Sequence, residues 1–240
     1  MKISVVICAH NEQDWLGDTL GSLLKQSRLA DEILVVNNAS TDNTAEIVRK
    51  FSLAHPEANI RLIDEAHKGL HHARETGWRN ACGDIIVTTD ADIRFPGQWL
   101  QLYEQAFSAQ PDVAAISGPV RYYDALAFIN WMTAFFEYIN QPEGIGRYFT
   151  KEYHVNGGNS AFQRSALEAV NGYLDKPKGT FEDMHIAAKL QANQQKIRYL
   201  RDNKVWHTFR RFNKDGWRGY MRYLFFYTAE NVYPDHLQDD

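Results

Sequence analysis

The first 120 residues alternate continuous apolar runs with segments whose apolar residues recur every three or four positions. "KISVVICA" (2–9) is an unbroken apolar run, the pattern of a strand covered on both faces. "NEQDWLGDTLGSLLKQS" follows and sets Leu16, Leu20, Leu23 and Leu24 on one helical face. "DEILVVN" predicts a second strand. "STDNTAEIVRKFSLA" opens with capping residue types and then carries Ala45, Val48 and Ser52 on one side, beside Ile47 and Phe51. "NIRLID" predicts a third strand, "KGLHHARETGWRNACG" a helix ended by Gly83, and "DIIVTTD" a fourth strand. "PGQWLQLYEQAFSA" predicts a helix started by proline, and "VAAISGPV" a fifth strand. Such a series implies an α/β fold with a mostly parallel central sheet and helices on both faces.

The pattern changes after residue 120. "RYYDALAFINWMTAFFEYINQ" is aromatic and helical in period. "YHVNGGNSAFQRSAL" predicts a strand, a glycine turn, a strand or loop, and a helix. "GTFEDMHIAAKLQANQQ" predicts a helix with acids in its first turn, and "KIRYLRDNKVWH" a closing strand or hairpin. From Thr208 the chain is basic and aromatic, then acidic at its end.

Bulk properties narrow the function classes. A length of 240 residues and a hydrophobic share of 44% support one large domain. A formal net charge of -4 argues against nucleic-acid binding. Cys8 and Cys82 lack metal-type spacing and are expected as buried thiols in a reducing compartment. "MKISVVICAHNE" predicts a first strand and no secretory leader, and no run reaches the roughly 20 apolar residues of a membrane span. The expected location is the cytoplasm, at the inner face of the membrane if the tail attaches there.

Ligands of a parallel α/β sheet bind at the carboxyl ends of its strands. Asp90 and Asp92 lie at such an end, as do Asn37, Asn38 and the "AHNE" turn. A D-x-D pair there can hold Mg²⁺ or Mn²⁺ through oxygen, and the cation can grip a diphosphate. Alone, the pair is more often a solvated turn.

Further motifs, in order, resemble the family 2 glycosyltransferases of the GT-A fold: "VVICAHNE", "ILVVNNASTDNT", "HKGLHHARETGWRNACGDIIVTTDAD", "GGNSAFQRSALEAVNGYLD" and "GTFEDMHIAAKL". The resemblance spans residues 2 to 207. It implies a GT-A domain over 1–207, with a nucleotide-sugar half (1–120), a smaller acceptor-side β/helical half (121–207), and a helical aromatic-basic tail (208–240). It further implies an inverting, metal-dependent transfer from a nucleoside-diphosphate sugar to an acceptor hydroxyl, in cell-envelope, polysaccharide or glycolipid synthesis.

The implied roles are specific. Asp92, and less directly Asp90, bind metal and donor, with His207 as a further metal ligand; a packed or surface histidine is the alternative. Asp183, with Glu182 beside it, is the general base, although both acids also suit a helix N-terminus. Ala9, Asn11 and Glu12 form the turn near the nucleoside, where Glu12 either bonds ribose or caps a helix. Asn37 stands where the family usually has the aspartate that meets the nucleobase, so the choice of nucleotide is open. Lys68 and Arg74 reach the diphosphate or form helix-surface ion pairs. Gly157 and Gly158 let backbone approach the sugar or acceptor, or make a plain turn. His67 and Glu75 replace common asparagines. His71, His72 and His185 are expected to pack or face solvent, and Ser40, Thr41 and Asp42 to cap. The Q-x-x-R-W signature of processive synthases is absent, which argues against that class.

Other readings stay open. The acceptor is a saccharide or a lipid-linked one. The tail, with Arg210, Arg211, Lys214, Arg218 and Arg222 beside Trp217, Tyr220, Leu224 and Phe225, contacts membrane, packs on the domain or forms a homodimer. A non-catalytic binding or scaffold protein and a membrane-surface adaptor remain alternatives. A sugar nucleotidyltransferase ranks lower, because no glycine-rich loop follows the first strand.

Overall fold

The computed structural model describes residues 1–141, 155–177, 180–212 and 218–221. Its main sheet has seven strands in the order β3-β2-β1-β4-β8-β6-β9. The first four are β1 (Ile3–Ala9), β2 (Glu32–Asn38), β3 (Ile60–Glu65) and β4 (Ile85–Asp90), all parallel. β8 (Ser160–Gln163) runs antiparallel between β4 and β6 (Val113–Ser117), and β9 (Lys196–Tyr199) pairs parallel with β6. Both sequence halves thus contribute to one sheet.

Strand alternation explains the unbroken apolar runs. Ile3, Val5, Ile7 and Ala9 of β1 point into one core with Leu16, Leu20, Val48 and Trp99, while Val6 and Cys8 point into another with Ala73, Trp78, Leu167 and Ile186. The first core is covered by α1 (Leu16–Leu23), α2 (Thr44–Ala54) and α4 (Trp99–Ala109). The second is covered by α3 (Leu70–Asn80), α6 (Arg164–Ala169) and α7 (Glu182–Ala192). β1, buried on both faces, cannot tolerate a polar residue unless it is bonded; Ser4 Oγ donates to Glu32 at 2.6 Å.

Several expectations need correction. "VAAISGPV" is two strands, not one: β6 ends at Ser117, and β7 (Val120–Tyr122) leaves for a second sheet. Gly118-Pro119 marks the break. "KIRYLRDNKVWH" is no hairpin either, because β9 edges the main sheet while β10 (Val205–His207) centres the second one, ordered β5-β10-β7. β5 (Ile93–Arg94), too short to read from sequence, pairs antiparallel with β10. Gly83 does not end α3, which stops at Asn80. A Cβ there would meet the Ser4 backbone nitrogen at 2.7 Å, so close packing on β1 requires the glycine. Cys8 is buried and its thiol pushed up to about 12 by burial, but Cys82 is exposed.

The long helix α5 (Ala127–Asn140) packs on the start of the tail. Ile129, Phe209, Phe212 and Tyr220 form a third core with Tyr122 and Phe136 against it. Each buried aromatic contributes about 2 kcal/mol. That term holds Tyr220 on the domain; Trp217, Leu224 and Phe225 lie outside the described residues. Among the described residues, no helix is long and apolar enough to cross a membrane.

Candidate active site

The connection after β2 stays on one side of β1, whereas α3 leads across to β4 on the other, so the winding reverses between β1 and β4. A crevice opens at such a point beyond the carboxyl ends. Register keeps the ends level: Cys8 pairs with Asp90, Ala9 with Asn37, and Asn37 with Asp64.

The turn after Ala9 is braced by the loop after β2. Asn11 adopts a left-handed φ of 55°, its N–H donates to Ser40 Oγ at 3.0 Å, and its Oδ1 accepts from the Thr41 N–H at 2.8 Å. Glu12 N–H donates to Thr44 Oγ1 at 2.7 Å. Asp42 does cap α2, accepting from Thr44 N–H at 2.9 Å, and also takes the Gln13 N–H. The loop expected only to cap therefore also fixes the first strand-end turn.

Around Asp90 and Asp92 three cationic groups converge. Arg74, 1% exposed, reaches from α3 to Glu182 at 2.7 Å and Asp90 at 3.3 Å. It is a buried clamp between the two halves, not a surface ion pair. His207 Nε2 lies 3.1 Å from Asp92 Oδ1 and 3.8 Å from Asp90 Oδ2. Its Nδ1 bonds the Thr208 carbonyl at 2.6 Å, which orients the ring. Arg210 donates Nε to Asp92 Oδ2 at 3.0 Å, pairs through Nη2 with Asp92 and Glu12, and lies 5.3 Å over the Trp15 ring. The sequence grouped Arg210 with the tail; its partner Glu12 is 198 positions away, and no local signal marks it.

These contacts set the charge states. Burial pushes Asp90 up, but His207 and Arg74 hold it below its ordinary value. Burial raises Asp92, and the charges of His207 and Arg210 only partly offset it. Burial lowers His207, yet the carboxylates beside it carry the imidazole up to about 9. Glu12 is pushed up to about 7 by burial and the Asp92 charge, against Arg210, and its Oε2 is buried without a hydrogen-bond partner.

Gly157 and Gly158 bring backbone against this cluster. A Cβ on Gly157 would overlap the Arg74 guanidinium, and one on Gly158 would meet Asp90 Oδ2 at 2.9 Å. Both glycines therefore permit close backbone approach to Arg74 and Asp90. Asn159 anchors the turn from below. Its Oδ1 accepts from Trp99 Nε1 (2.8 Å) and Tyr103 O–H (2.7 Å), and its Nδ2 donates to the Pro119 and Asn203 carbonyls.

Gly157 N–H also donates to Asp183 Oδ2 at 3.3 Å. Asp183 starts α7 beside Glu182, and its Oδ1 accepts from the Met184 N–H at 2.8 Å. Burial and the Glu182 charge push Asp183 up to about 7, against Arg74. Asp90, Glu182, Asp183 and His207 line a cavity of about 210 Å³ whose far wall includes Tyr122, Phe136, Glu137 and Tyr220. Lys68 stands apart, exposed in the loop before α3. The His71 and His72 rings lie 4.0 Å apart and tilted at 38°, outside this cavity's lining. Among the described residues no three or more His, Cys, Asp or Glu side chains form a ready-made metal cage.

Known proteins resemble this chain in sequence and fold. The poly-beta-1,6-N-acetyl-D-glucosamine synthase of Staphylococcus epidermidis is 28% identical over 201 residues, 82% of this chain and 47% of the synthase. The probable glycosyltransferase YdaM of Bacillus subtilis is 29% identical over 92% of this chain and 54% of its own length. The chain thus spans about half the length of these relatives. Among solved structures, the mannosyltransferase PcManGT from Pyrobaculum calidifontis, in complex with GDP-Man and Mn²⁺, superposes with a TM-score of 0.72 at 25% identity, covering 90% of this chain and 59% of PcManGT. S. aureus TarS 1-349 in complex with UDP-GlcNAc matches at a TM-score of 0.68 and 18% identity, over 87% and 58%. The fold is that of the GT-A glycosyltransferases. The profile of glycosyl transferase family 2 matches residues 4–170, from the start of β1 through α6, and the chain belongs to that family.

Proposed function

We propose that the chain is an inverting, divalent-metal-dependent glycosyltransferase that moves a sugar from a nucleoside-diphosphate sugar to an acceptor hydroxyl. One observation carries the reading: Asp90, held by Arg74 and next to the Asp92–His207 contact, and Asp183, poised to exchange a proton, line one cleft at the strand ends. The structural neighbours described with GDP-Man and with UDP-GlcNAc support a nucleotide-sugar donor.

The donor set fits a metal. Asp90, Asp92 and Glu182 already match the cationic Arg74, His207 and Arg210, so no net positive charge is left to hold a diphosphate without an added cation. Asp92, Asp90 and His207 would hold Mg²⁺ or Mn²⁺, with the His207 Nε2 proton lost on binding. Hard divalent ions of this kind commonly take one or two carboxylates plus substrate phosphates, so a full protein cage is not required. When bound, the ion supplies charge stabilisation for the departing diphosphate.

The chain's own groups do the rest. Arg74 keeps Glu182 and Asp90 at fixed separation. Asp183 accepts the acceptor's hydroxyl proton, its raised affinity matched to a proton exchanged near neutral pH. The aromatic far wall of the cavity suits the apolar faces of an acceptor saccharide. A lipid-linked acceptor would approach along the exposed ladder of Phe128, Trp131 and Phe135 on α5.

A thermal-shift screen of nucleoside diphosphates with and without Mn²⁺ tests the donor site, since binding to the folded state raises Tm. The expected result is a shift that needs the metal. A metal-independent shift removes the metal role, and a shift with neither hydrolysis nor transfer of any sugar leaves a non-catalytic binder.

A further inference from the structure

Helix α5 separates two environments. Its inner face lines the far wall of the cavity with Thr133, Phe136 and Glu137, and Ile129 packs with Phe209, Phe212 and Tyr220. Its outer face carries Phe128, Trp131, Phe135 and Tyr138 at steps of three and four residues, which makes one stripe along the helix. With Leu126 just ahead of the first turn, these side chains are 46% to 77% exposed, and they are five of the ten exposed large hydrophobic residues described. The Phe128 and Trp131 rings lie 6.1 Å apart, and those of Trp131 and Phe135 lie 5.9 Å apart, at interplanar angles of 22° and 9°. Single exposed apolar residues are ordinary, but a contiguous stripe of them marks a surface that meets a partner.

Composition and area say what that partner is. The one acidic or basic residue of α5, Glu137, is turned inward onto Arg121 at 2.6 Å. Asn130 is bonded through both amide atoms to the Tyr122 backbone. The stripe itself therefore carries no charge with which to pair another protein's. Its rings are of the types that settle between lipid headgroups and acyl chains. At one end Arg201 lies 5.7 Å over the Tyr138 ring, a cation placed to meet headgroup phosphates while its stem stays on apolar surface. Taking about half of each ring's area, the stripe with Leu126 offers roughly 500 Å². A stable dimer buries about 800 Å² per partner, so a second copy is poorly served by this face.

We propose that the outer face of α5 docks this chain on a lipid bilayer, with Phe128, Trp131, Phe135 and Tyr138 in the interfacial layer. The helix lies along the surface and not across it, because its 14 residues span only about 21 Å and its inner face stays on the protein core. The far wall of the cavity then lies one helix diameter, about 10 Å, from the headgroups. Insertion of uncharged rings supplies the attachment, in place of attraction between a basic tail and anionic lipid. It needs no anionic lipid and resists salt. The docking does not depend on the donor reading above.

Sedimentation with phosphatidylcholine vesicles tests the docking without any substrate. The chain should partition with a constant on the order of 10⁴ M⁻¹, the scale of a single acyl chain. It should keep that partitioning in about 0.5 M NaCl, where exposed charges are screened. Trp131→Gln combined with Phe135→Gln should lower partitioning at least about tenfold and leave Tm unchanged. Phe128→Gln, clear of the Phe135–Phe136 contact, gives the second reading where the double variant lowers Tm, with about a threefold loss expected. Absence of sedimentation with phosphatidylcholine, binding confined to phosphatidylglycerol vesicles and lost in salt, or unchanged binding by the variants overturns the proposal. A dimer seen by ultracentrifugation and abolished in the double variant, with no vesicle binding, gives the face to a second copy and overturns it too.

Discussion

Two carboxylates, Asp90 and Asp183, line the same cleft and are treated in opposite ways. Asp90 and Asp92 sit among Arg74, His207 and Arg210, and Asp90 is held below its ordinary value despite its burial. Asp183 accepts the Gly157 and Met184 N–H groups, and burial with the Glu182 charge pushes it up to about 7. Asp90 is built to stay charged and Asp183 to exchange a proton. Environment, rather than residue type, separates their tasks.

The contrast can be broken at its strongest point by Asp183→Asn. Transfer should fall on the order of 10³-fold with donor affinity nearly unchanged, because a general base acts in the transition state; a parallel loss of binding, read by calorimetry, would make Asp183 a binding group instead. Asp92→Asn should do the reverse, weakening Mn²⁺-dependent donor binding more than about 100-fold, since even partners of metal ligands are worth 10- to 100-fold. The pH profile is a milder probe. Asp183 must be ionised to accept a proton, so kcat/KM should drop about tenfold per pH unit below about 7 and level off above it. A flat profile through that range would end the distinction between the two groups. The smallest effect belongs to Arg210→Ala. Removing a partly exposed ion pair worth about 1 kcal/mol frees Asp92, and Mn²⁺ should bind the nucleotide-free protein about fivefold more tightly. Unchanged Mn²⁺ affinity by calorimetry would show that Arg210 does not compete for Asp92.

How much of this was legible in the sequence divides along the same line. The first four strands, α1 to α3, the D-x-D end of β4 and the acids opening α7 follow from local periodicity and position. What escaped depends on distant pairing. β8 inserts between β4 and β6, and no residue within it announces those neighbours. Asn159 looked like part of a glycine turn, yet it is fully buried and bonded to side chains of α4 and to carbonyls after β6 and β9. Arg210 looked like one of several tail cations. Gly118-Pro119 is a turn signal visible in the sequence, and it separates β6 from β7.

The small second sheet has a consequence of its own. Pairing of Ile93 with His207 ties the chain just after the D-x-D directly to the strand bearing the histidine. Their spacing is thus dictated by a backbone ladder and not by the hundred-odd intervening positions. Relatives could lengthen, shorten or exchange those intervening loops to suit new acceptors while the chemistry stays aligned, much as a lathe keeps its centre when the workpiece is changed.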